Sequence, residues 1–174
     1  IPDGESWAGA RGLMQLMPAT AKRFGANDPG DPKQSLKAGV NYLMYLEKYW
    51  TARAADDQER LKFVLASYNA GLAHILDARK LCKKYGKDES RWEDVEYYLL
   101  KKSEPEFYRD PLVVAGYCKC EEPVNYVREV LERYEERWDW TILSMNECLP
   151  WTASLVARFE ERWNWTFLSG NTCL

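Results

Sequence analysis

Apolar side chains recur at three- and four-residue steps along most of this chain, and this spacing constrains its fold more than any other feature. Steps of that size place the side chains on one face of an α-helix. The pattern predicts amphipathic helices near residues 36–50, 61–68, 75–85, 92–100 and 124–134. No segment alternates apolar and polar residues for long enough to predict a strand. We therefore expect an all-α fold.

Proline and glycine mark the ends of one further short helix. Pro18 suits the first helical position, where its missing N–H costs nothing, and Gly25 suits the position just beyond the last turn. Residues 27–32 combine Asn, Asp, Pro and Gly, which is typical of a loop. We expect a helix between Pro18 and Gly25, followed by this loop.

The composition excludes some classes of function. The net charge is -3 and no tract of Lys or Arg is present to bind phosphates, so we expect no nucleic-acid partner. No apolar run approaches the ~20 residues that span a bilayer. Aromatic residues make up 14% of the chain, with 8 Trp and 11 Tyr. This surplus fits carbohydrate recognition, in which flat rings pack on sugars, and equally fits an aromatic core.

Cysteine and histidine do not form a metal-binding pattern. Cys118 and Cys120 are a C-x-C pair, which is a weak metal signal, and His74 is the only histidine. We expect no metal and no cofactor. Cys148 and Cys173 occupy equivalent positions in a repeat, and we expect them to be small buried apolar residues rather than a disulfide.

The C-terminal part of the chain repeats itself. Residues 134–149 return as residues 159–174 with a constant offset of 25, and 11 of the 16 aligned pairs are identical. A fixed period of this size predicts stacked units, each too small to bury its own apolar face. We expect one domain over 1–134 and Trp-rich repeats over 135–174. The second copy stops before the Pro-Trp that follows Leu149, so we expect an internal fragment.

Three short motifs follow one another in the first 134 residues. They are Gly-Leu-Met-Gln at 12–15, Tyr-Asn-Ala-Gly at 68–71 and Asn-Tyr-Val at 125–127. In order and spacing they resemble the lysozyme-like domain of the SLT-type lytic transglycosylases, over roughly residues 6–134. Within that family the chain is most similar to the membrane-bound type F enzymes, judged from residues 6–12 and 121–127.

The resemblance implies a fold, a reaction and a location. It implies a lysozyme-like helical domain whose N-terminal helix is missing here, acting on peptidoglycan glycan strands in the bacterial envelope. Such enzymes cleave the β-1,4 bond between N-acetylmuramic acid and N-acetylglucosamine with a single Glu. That Glu protonates the leaving oxygen and then deprotonates the sugar's own 6-hydroxyl, which gives a 1,6-anhydro product. The residues that the resemblance assigns to the substrate are Met14, Gln15, Tyr68, Asn69, Ala70 and Tyr126.

The same residues have plainer interpretations. A Tyr at the end of a helix, as at position 68, is most often a core residue. Asn69, Ala70 and Gly71 also fit a helix C-cap, because Asn and Gly tolerate left-handed backbone. Gln15 is harder to explain by packing, because the polar atoms of a buried amide need partners.

The catalytic acid is the departure from the family pattern. Relatives carry a Glu-Ser pair well upstream of a Gly-Ala-Arg-Gly segment, which stands at 9–12 here and is called the glycine-rich segment, whereas in this chain Glu5 and Ser6 lie directly against residues 7–11. We expect the acid to lie before Ile1, with Glu5 as a displaced alternative. An acid at Glu5 requires an apolar pocket that raises its pKa, yet Asp3 and Gly4 beside it predict a solvated loop.

Other carboxylates do not supply the missing acid. Glu121 and Glu122 precede Pro123 and are expected at the start of the last helix, where negative charge is favourable. The polar connection that contains three further acids is expected to be a solvated surface; these acids are Asp56, Asp57 and Glu59.

Three possibilities for the function therefore remain. The first is a transglycosylase domain that, as this fragment, binds glycan weakly and cleaves it poorly or not at all. The second is a non-catalytic peptidoglycan-binding module whose Trp-rich repeats recruit a protein partner. The third makes the repeats the functional part, as a protein-interaction array on an inert scaffold.

Overall fold

The computed structural model describes residues 4–137, 140–145, 156–157 and 160–171, and their regular structure is helical. The helices are α1 (Pro18–Arg23), α2 (Pro32–Trp50), α3 (Asp57–Ala70), α4 (Leu72–Lys84), α5 (Trp92–Lys101), α6 (Pro105–Tyr108), α7 (Glu121–Arg137), α8 (Trp140–Met145) and α9 (Trp165–Leu168). Over these described ranges, β-type pairing is limited to isolated bridges that join Glu5 to Arg11 and Arg11 to Leu16. The prediction of an all-α fold is confirmed.

Local sequence signals explain where the helices begin. Pro18 opens α1 as predicted, and the left-handed Gly25 follows its end. The apolar spacing alone did not locate the first residues of α2 and α3, and an aspartate caps each of them. Asp31 accepts the backbone N–H of Gln34 in α2, and Asp56 accepts that of Glu59 in α3. Each cap satisfies a backbone donor that the first helical turn leaves unpaired.

The chain divides into two compact units, residues 1–128 and 129–174. The core of the first unit centres on Trp50 of α2, whose indole stacks on Phe63 of α3 at 4.6 Å between ring centroids. Trp92 of α5 meets the same ring edge-on at 5.7 Å. The indole N–H of Trp50 donates to the hydroxyl of Ser67 at 3.0 Å, and both residues are fully buried. These contacts fix the C-terminal half of α3 against α2.

Glu59 corrects one sequence prediction. Asp56 and Asp57 are exposed as expected, but the Glu59 side chain is only 14% exposed and pairs with Lys62 at 2.6 Å. Its other carboxylate oxygen accepts the backbone N–H of Trp92. An acid at a helix N-terminus is stabilised by the unpaired N–H groups there, so Glu59 joins α3 to the start of α5.

A buried ionic cluster lies between α4 and the end of α5. The ammonium of Lys102 is fully buried and lies 3.2 Å from a carboxylate oxygen of Asp77 and 2.9 Å from Nδ1 of His74. Asp77 also accepts the backbone N–H groups of Val114 and Ala115 at 3.0 and 2.7 Å. The cluster therefore ties the loop before α7 to α4.

Burial and neighbouring charges set the protonation states of this cluster. Burial lowers the pKa of His74, and the adjacent Lys102 ammonium lowers it further, while Asp77 opposes the change. Burial alone raises the pKa of Asp77, but its two backbone N–H donors and Lys102 outweigh that effect and leave the pKa below its ordinary value. His74 is accordingly neutral and accepts a hydrogen bond from Lys102 through Nδ1.

The segment that precedes α1 is held by close backbone approach. Gly12 has φ +73°, and a Cβ there would lie 1.8 Å from the carbonyl oxygen of Pro29 and 2.8 Å from the hydroxyl of Ser35. The N–H of Met14 donates to the same hydroxyl at 3.1 Å. Only glycine fits at position 12, because both the conformation and the space exclude a side chain.

The second unit contains part of the predicted repeat. Trp140 and Trp163 meet edge-to-face at 5.1 Å between ring centroids. The buried hydroxyl of Ser144 accepts the N–H of Asn164 at 3.0 Å, and the Ser144 carbonyl accepts the Asn171 amide at 3.3 Å. Equivalent segments 25 residues apart thus contact each other.

The cysteines divide between the described and undescribed parts of the chain. The predicted environments of Cys148 and Cys173 concern residues outside the described ranges. Cys118 and Cys120 form a disulfide in the structure, which the C-x-C spacing did not lead us to predict. Cys82 is a buried free thiol.

The crowding at Gly12 gives a prediction about stability. Gly12→Ala should lower the free energy of unfolding by about 2 kcal/mol more than Gly25→Ala, measured by urea denaturation. Both glycines have positive φ, so both variants carry backbone strain, but a Cβ at Gly25 meets no atom within 4 Å. Equal losses in the two variants would show that the approach of Pro29 does not limit position 12.

The environment of His74 predicts how stability depends on pH. Because the pKa of His74 is lowered by folding, the unfolded chain binds a proton more readily, and the folded protein loses stability as the pH falls below about 6.5. Urea denaturation at pH 7.5 and 5.5 should show this loss. The free energy of unfolding should fall by at most about 1.4 kcal/mol for each unit of pH. His74→Asn keeps an acceptor for Lys102 and cannot titrate, so its stability should change less. If stability changed with pH equally in the parent protein and in His74→Asn, the lowered pKa of His74 would be contradicted, since His74 is the only histidine.

Candidate functional site

The first two motifs meet at a hydrogen bond between distant parts of the chain. The hydroxyl of Tyr68 donates to the carbonyl oxygen of Met14 at 2.8 Å, across 54 residues of sequence. Tyr68 is placed by the packing of α3 on α2, and Met14 by the contact of its N–H with Ser35. We call the surface around Met14, Gln15, Tyr68 and Asn69 the candidate trough.

A glycine inside α2 makes room for Met14. A Cβ at Gly39 would lie 2.5 to 2.9 Å from the Cε, Cγ and Cβ atoms of Met14. The Met14 side chain therefore packs directly on the backbone of α2. The sequence analysis missed Gly39; its signal is a glycine in the middle of an otherwise regular helix, which often marks a close contact.

Gln15 has an unusual backbone conformation. Its φ is +46°, in the left-handed region that residues other than glycine adopt only at a cost of about 1–3 kcal/mol. The side-chain nitrogen donates to the carbonyl oxygens of Gly4 and Gly12 at 3.0 and 2.9 Å. These bonds stabilise the turn and engage the side-chain nitrogen, and Gln15 is exposed.

Tyr68 packs against Tyr42, and its pKa responds to Tyr126 as well. Burial raises its pKa to about 12, and the neighbouring Tyr126 and Tyr42 add to the rise. The ring of Tyr42 lies 5.4 Å from that of Tyr68, centroid to centroid. Tyr126, from the third motif, is near enough to Tyr68 to raise its pKa. With this pKa, Tyr68 is a hydrogen-bond donor at neutral pH and not a base.

Asn69 and Ala70 occupy the last turn of α3. The helix ends at Gly71, which has φ +90° and donates its N–H to the carbonyl of Ser67. Gly71 therefore performs the C-cap function, and Asn69 remains helical. The Asn69 side chain is exposed and, among the described residues, forms no hydrogen bond, so its amide is available to a ligand. Ala70 is half-buried.

The carboxylate of Glu5 lies in a polar, exposed setting. The Glu5 side chain is 60% exposed and lies 3.7 Å from the guanidinium of Arg11, which is itself 50% exposed. The two residues also form a backbone bridge. This setting differs from the apolar pocket that a protonated acid requires.

Glu96 of α5 is a carboxyl group that the sequence analysis did not single out. Burial raises its pKa, while Trp92 and Arg128 oppose the rise. None of the hydrogen bonds or ion pairs of the described residues joins Glu96 to Met14, Gln15 or Tyr68. No sequence signal distinguished it, because it occupies an ordinary position in an amphipathic helix.

The described residues show neither a metal-binding cluster nor a membrane-spanning helix. Within the described ranges, no group of three or more His, Cys, Asp and Glu side chains could hold a metal ion. In that part of the chain no helix combines the length and the apolar character needed to cross a bilayer.

Sequence comparison gives relatives over the same region. The profile of the transglycosylase SLT domain family matches residues 2–91. A membrane-bound lytic murein transglycosylase F from Pasteurella multocida is 42% identical over 133 residues, which is 76% of this chain and 26% of that protein. Proteins of the same name from Maricaulis maris and Desulfosudis oleivorans are 39% and 37% identical, over 75% and 77% of this chain and 28% and 29% of their own lengths.

The chain thus spans little more than a quarter of the length of these relatives. The family match covers half of the chain and includes the junction at which the first two motifs meet. This chain belongs to the transglycosylase SLT domain family.

Proposed function

We propose that this chain forms the glycan-binding trough of a peptidoglycan lytic transglycosylase. The reaction is cleavage of the β-1,4 bond between N-acetylmuramic acid and N-acetylglucosamine, with a 1,6-anhydro product. The observation that carries the proposal is the hydrogen bond from Tyr68 to Met14, which joins two family motifs at one surface. The names of the relatives support the same reaction and a location in the bacterial envelope.

The proposed substrate contacts are Met14, Gln15, Tyr68, Asn69, Ala70 and Tyr126. Asn69 offers an exposed amide group and Gln15 the oxygen of its amide, which can pair with the N-acetyl groups and hydroxyls of a sugar. Tyr68 and Tyr126 supply aromatic surface beside them, and the raised pKa of Tyr68 keeps its hydroxyl protonated. Met14 contributes an apolar wall held against α2.

Glu5 is proposed to stabilise the segment before α1 and not to act as the acid. Its side chain is exposed beside Arg11, whereas a general acid near neutral pH must retain its proton and needs an apolar surrounding to do so. The proposed acid is therefore a carboxyl group other than Glu5, in line with the family pattern, which has its Glu upstream of the glycine-rich segment.

The repeat region is proposed to have a separate role. We propose that residues 1–134 form the transglycosylase domain and that residues 135–174 are Trp-rich repeats that bind a protein partner. The exposed Trp165 and Phe167 support this role, because exposed aromatic side chains are common at protein interfaces. A non-catalytic peptidoglycan-binding module with such a repeat array is the alternative.

Incubation with purified sacculi tests the function. The protein should co-sediment with them, and any soluble fragment that it releases should end in a 1,6-anhydro ring, lighter by one water than a hydrolysis product. Asn69→Ala should bind about 2- to 10-fold more weakly with unchanged stability, because it removes an exposed amide. Asn27→Ala, also exposed but outside the motifs, is the matched control.

The outcomes of this assay are distinct. Products with reducing ends would show that the protein hydrolyses the glycan, and would contradict the transglycosylase proposal. Binding without any product is expected both of the non-catalytic alternative and of a transglycosylase domain without its acid. A chain extended upstream of the glycine-rich segment separates them, because only the transglycosylase would then release 1,6-anhydro fragments. Absence of binding would contradict both.

The role of Glu5 is tested with Glu5→Gln. Binding to sacculi and any release of 1,6-anhydro fragments should remain within about twofold of the parent protein, and stability should fall by at most about 1 kcal/mol, as for other exposed ion pairs. Loss of release with binding retained would instead identify Glu5 as the acid.

A further inference from the structure

We propose that a cavity beside the candidate trough binds a carboxylate of the substrate, and that Arg23 recognises it. The inference rests on the proposed function and specifies which chemical group of peptidoglycan this part of the surface takes. The occupant is an acid-bearing glycan, as distinct from a neutral N-acetylglucosamine polymer.

Two residues that line the cavity connect it to the trough. It measures about 220 Å³ and is lined by Ala19, Thr20, Arg23, Phe24, Tyr42, Tyr45 and Leu72. Leu72 directly follows the Tyr-Asn-Ala-Gly motif, and Tyr42 packs against Tyr68 at 5.4 Å between ring centroids. A substituent of a sugar held at Tyr68 therefore has this cavity as a neighbour.

Arg23 offers a charge that the described residues leave unpaired. Its guanidinium carbon lies 4.9 Å from the ring centroid of Tyr45 and 5.4 Å from that of Phe24. In the part of the chain that the structure describes, no carboxylate lies within 4 Å of Arg23, and its side chain donates no hydrogen bond. The two rings hold the guanidinium by cation–π attraction and leave its N–H donors available.

The charge of Arg23 acts on Tyr42, which lines the cavity and packs against Tyr68 of the trough. Burial raises the pKa of Tyr42, with Tyr45 adding to the rise and Arg23 opposing it. A positive charge close enough to affect Tyr42 also attracts an anion bound beside that ring. The placement of Arg23 on aromatic rings suits a planar acid, because guanidinium and carboxylate form paired, parallel hydrogen bonds.

Peptidoglycan supplies such an acid in two places. The sugar rings and N-acetyl groups are neutral, but each muramic acid carries a lactyl group that ends in a carboxylate when no peptide is attached. When a peptide is attached, the carboxylates lie on its side chains and terminus. Either source presents the same chemistry to Arg23.

Binding of three glycans of equal length tests the proposal by isothermal titration calorimetry. They are a neutral N-acetylglucosamine tetramer, a peptide-free peptidoglycan tetramer with free lactyl carboxylates, and a peptide-bearing tetramer. The parent protein should bind at least one acidic ligand about tenfold more tightly than the neutral one, as expected for a charge-assisted hydrogen bond. The acidic ligand that is preferred identifies which carboxylate is bound.

Variants of adjacent cations separate this site from general charge effects. Arg23→Gln should abolish the preference and leave affinity for the neutral tetramer unchanged, whereas Lys22→Gln, an equal change of charge at an exposed neighbour, should keep it. A parent protein that binds all three ligands equally, or an Arg23→Gln variant that keeps the preference or weakens all three alike, would overturn the carboxylate site alone. Failure of the parent protein to bind any of the three would overturn the proposed function and this site with it.

Discussion

The hydrogen bond from the Tyr68 hydroxyl to the Met14 carbonyl is the constraint on which the candidate site depends. The segment before α1 has little regular structure of its own, and its backbone bridges are isolated. Tyr68, in contrast, lies on a helix fixed to the core one residue earlier, where Ser67 accepts the indole N–H of Trp50. The bond from Tyr68 thereby connects the aromatic core to this loop, which the contacts of Gly12 with Pro29 and Ser35 also hold.

The helices were predictable because their signals are local. Apolar spacing, Pro18 and the glycines after the helices indicated where most of the helices lie, and the structure agrees. Glu59 shows the limit of such signals, because its partner at the start of α5 is distant in sequence. From the sequence alone Glu59 was expected to be solvated, because its contact with the start of α5 is visible only in the folded structure.

The sequence indicated which residues belong to the candidate site, but it did not indicate their geometry. The resemblance supplied the three motifs, and spacing along the chain could indicate neither the left-handed backbone of Gln15 nor the missing Cβ of Gly39 against Met14. Tyr42 and Arg23 escaped notice for the same reason. Each looks like an ordinary position on a helix, and only the packing of α1 on α2 gives them a common cavity.

The way in which Tyr68 holds its partner has an evolutionary consequence. The acceptor is the main chain of residue 14, so a change of side chain there leaves the bond intact. Drift at position 14 is then limited by the space over Gly39, and drift at position 68 by the loss of the hydroxyl itself. A different side chain at position 14 that fits the space over Gly39 would therefore change the wall of the site and leave the joint between loop and helix in place.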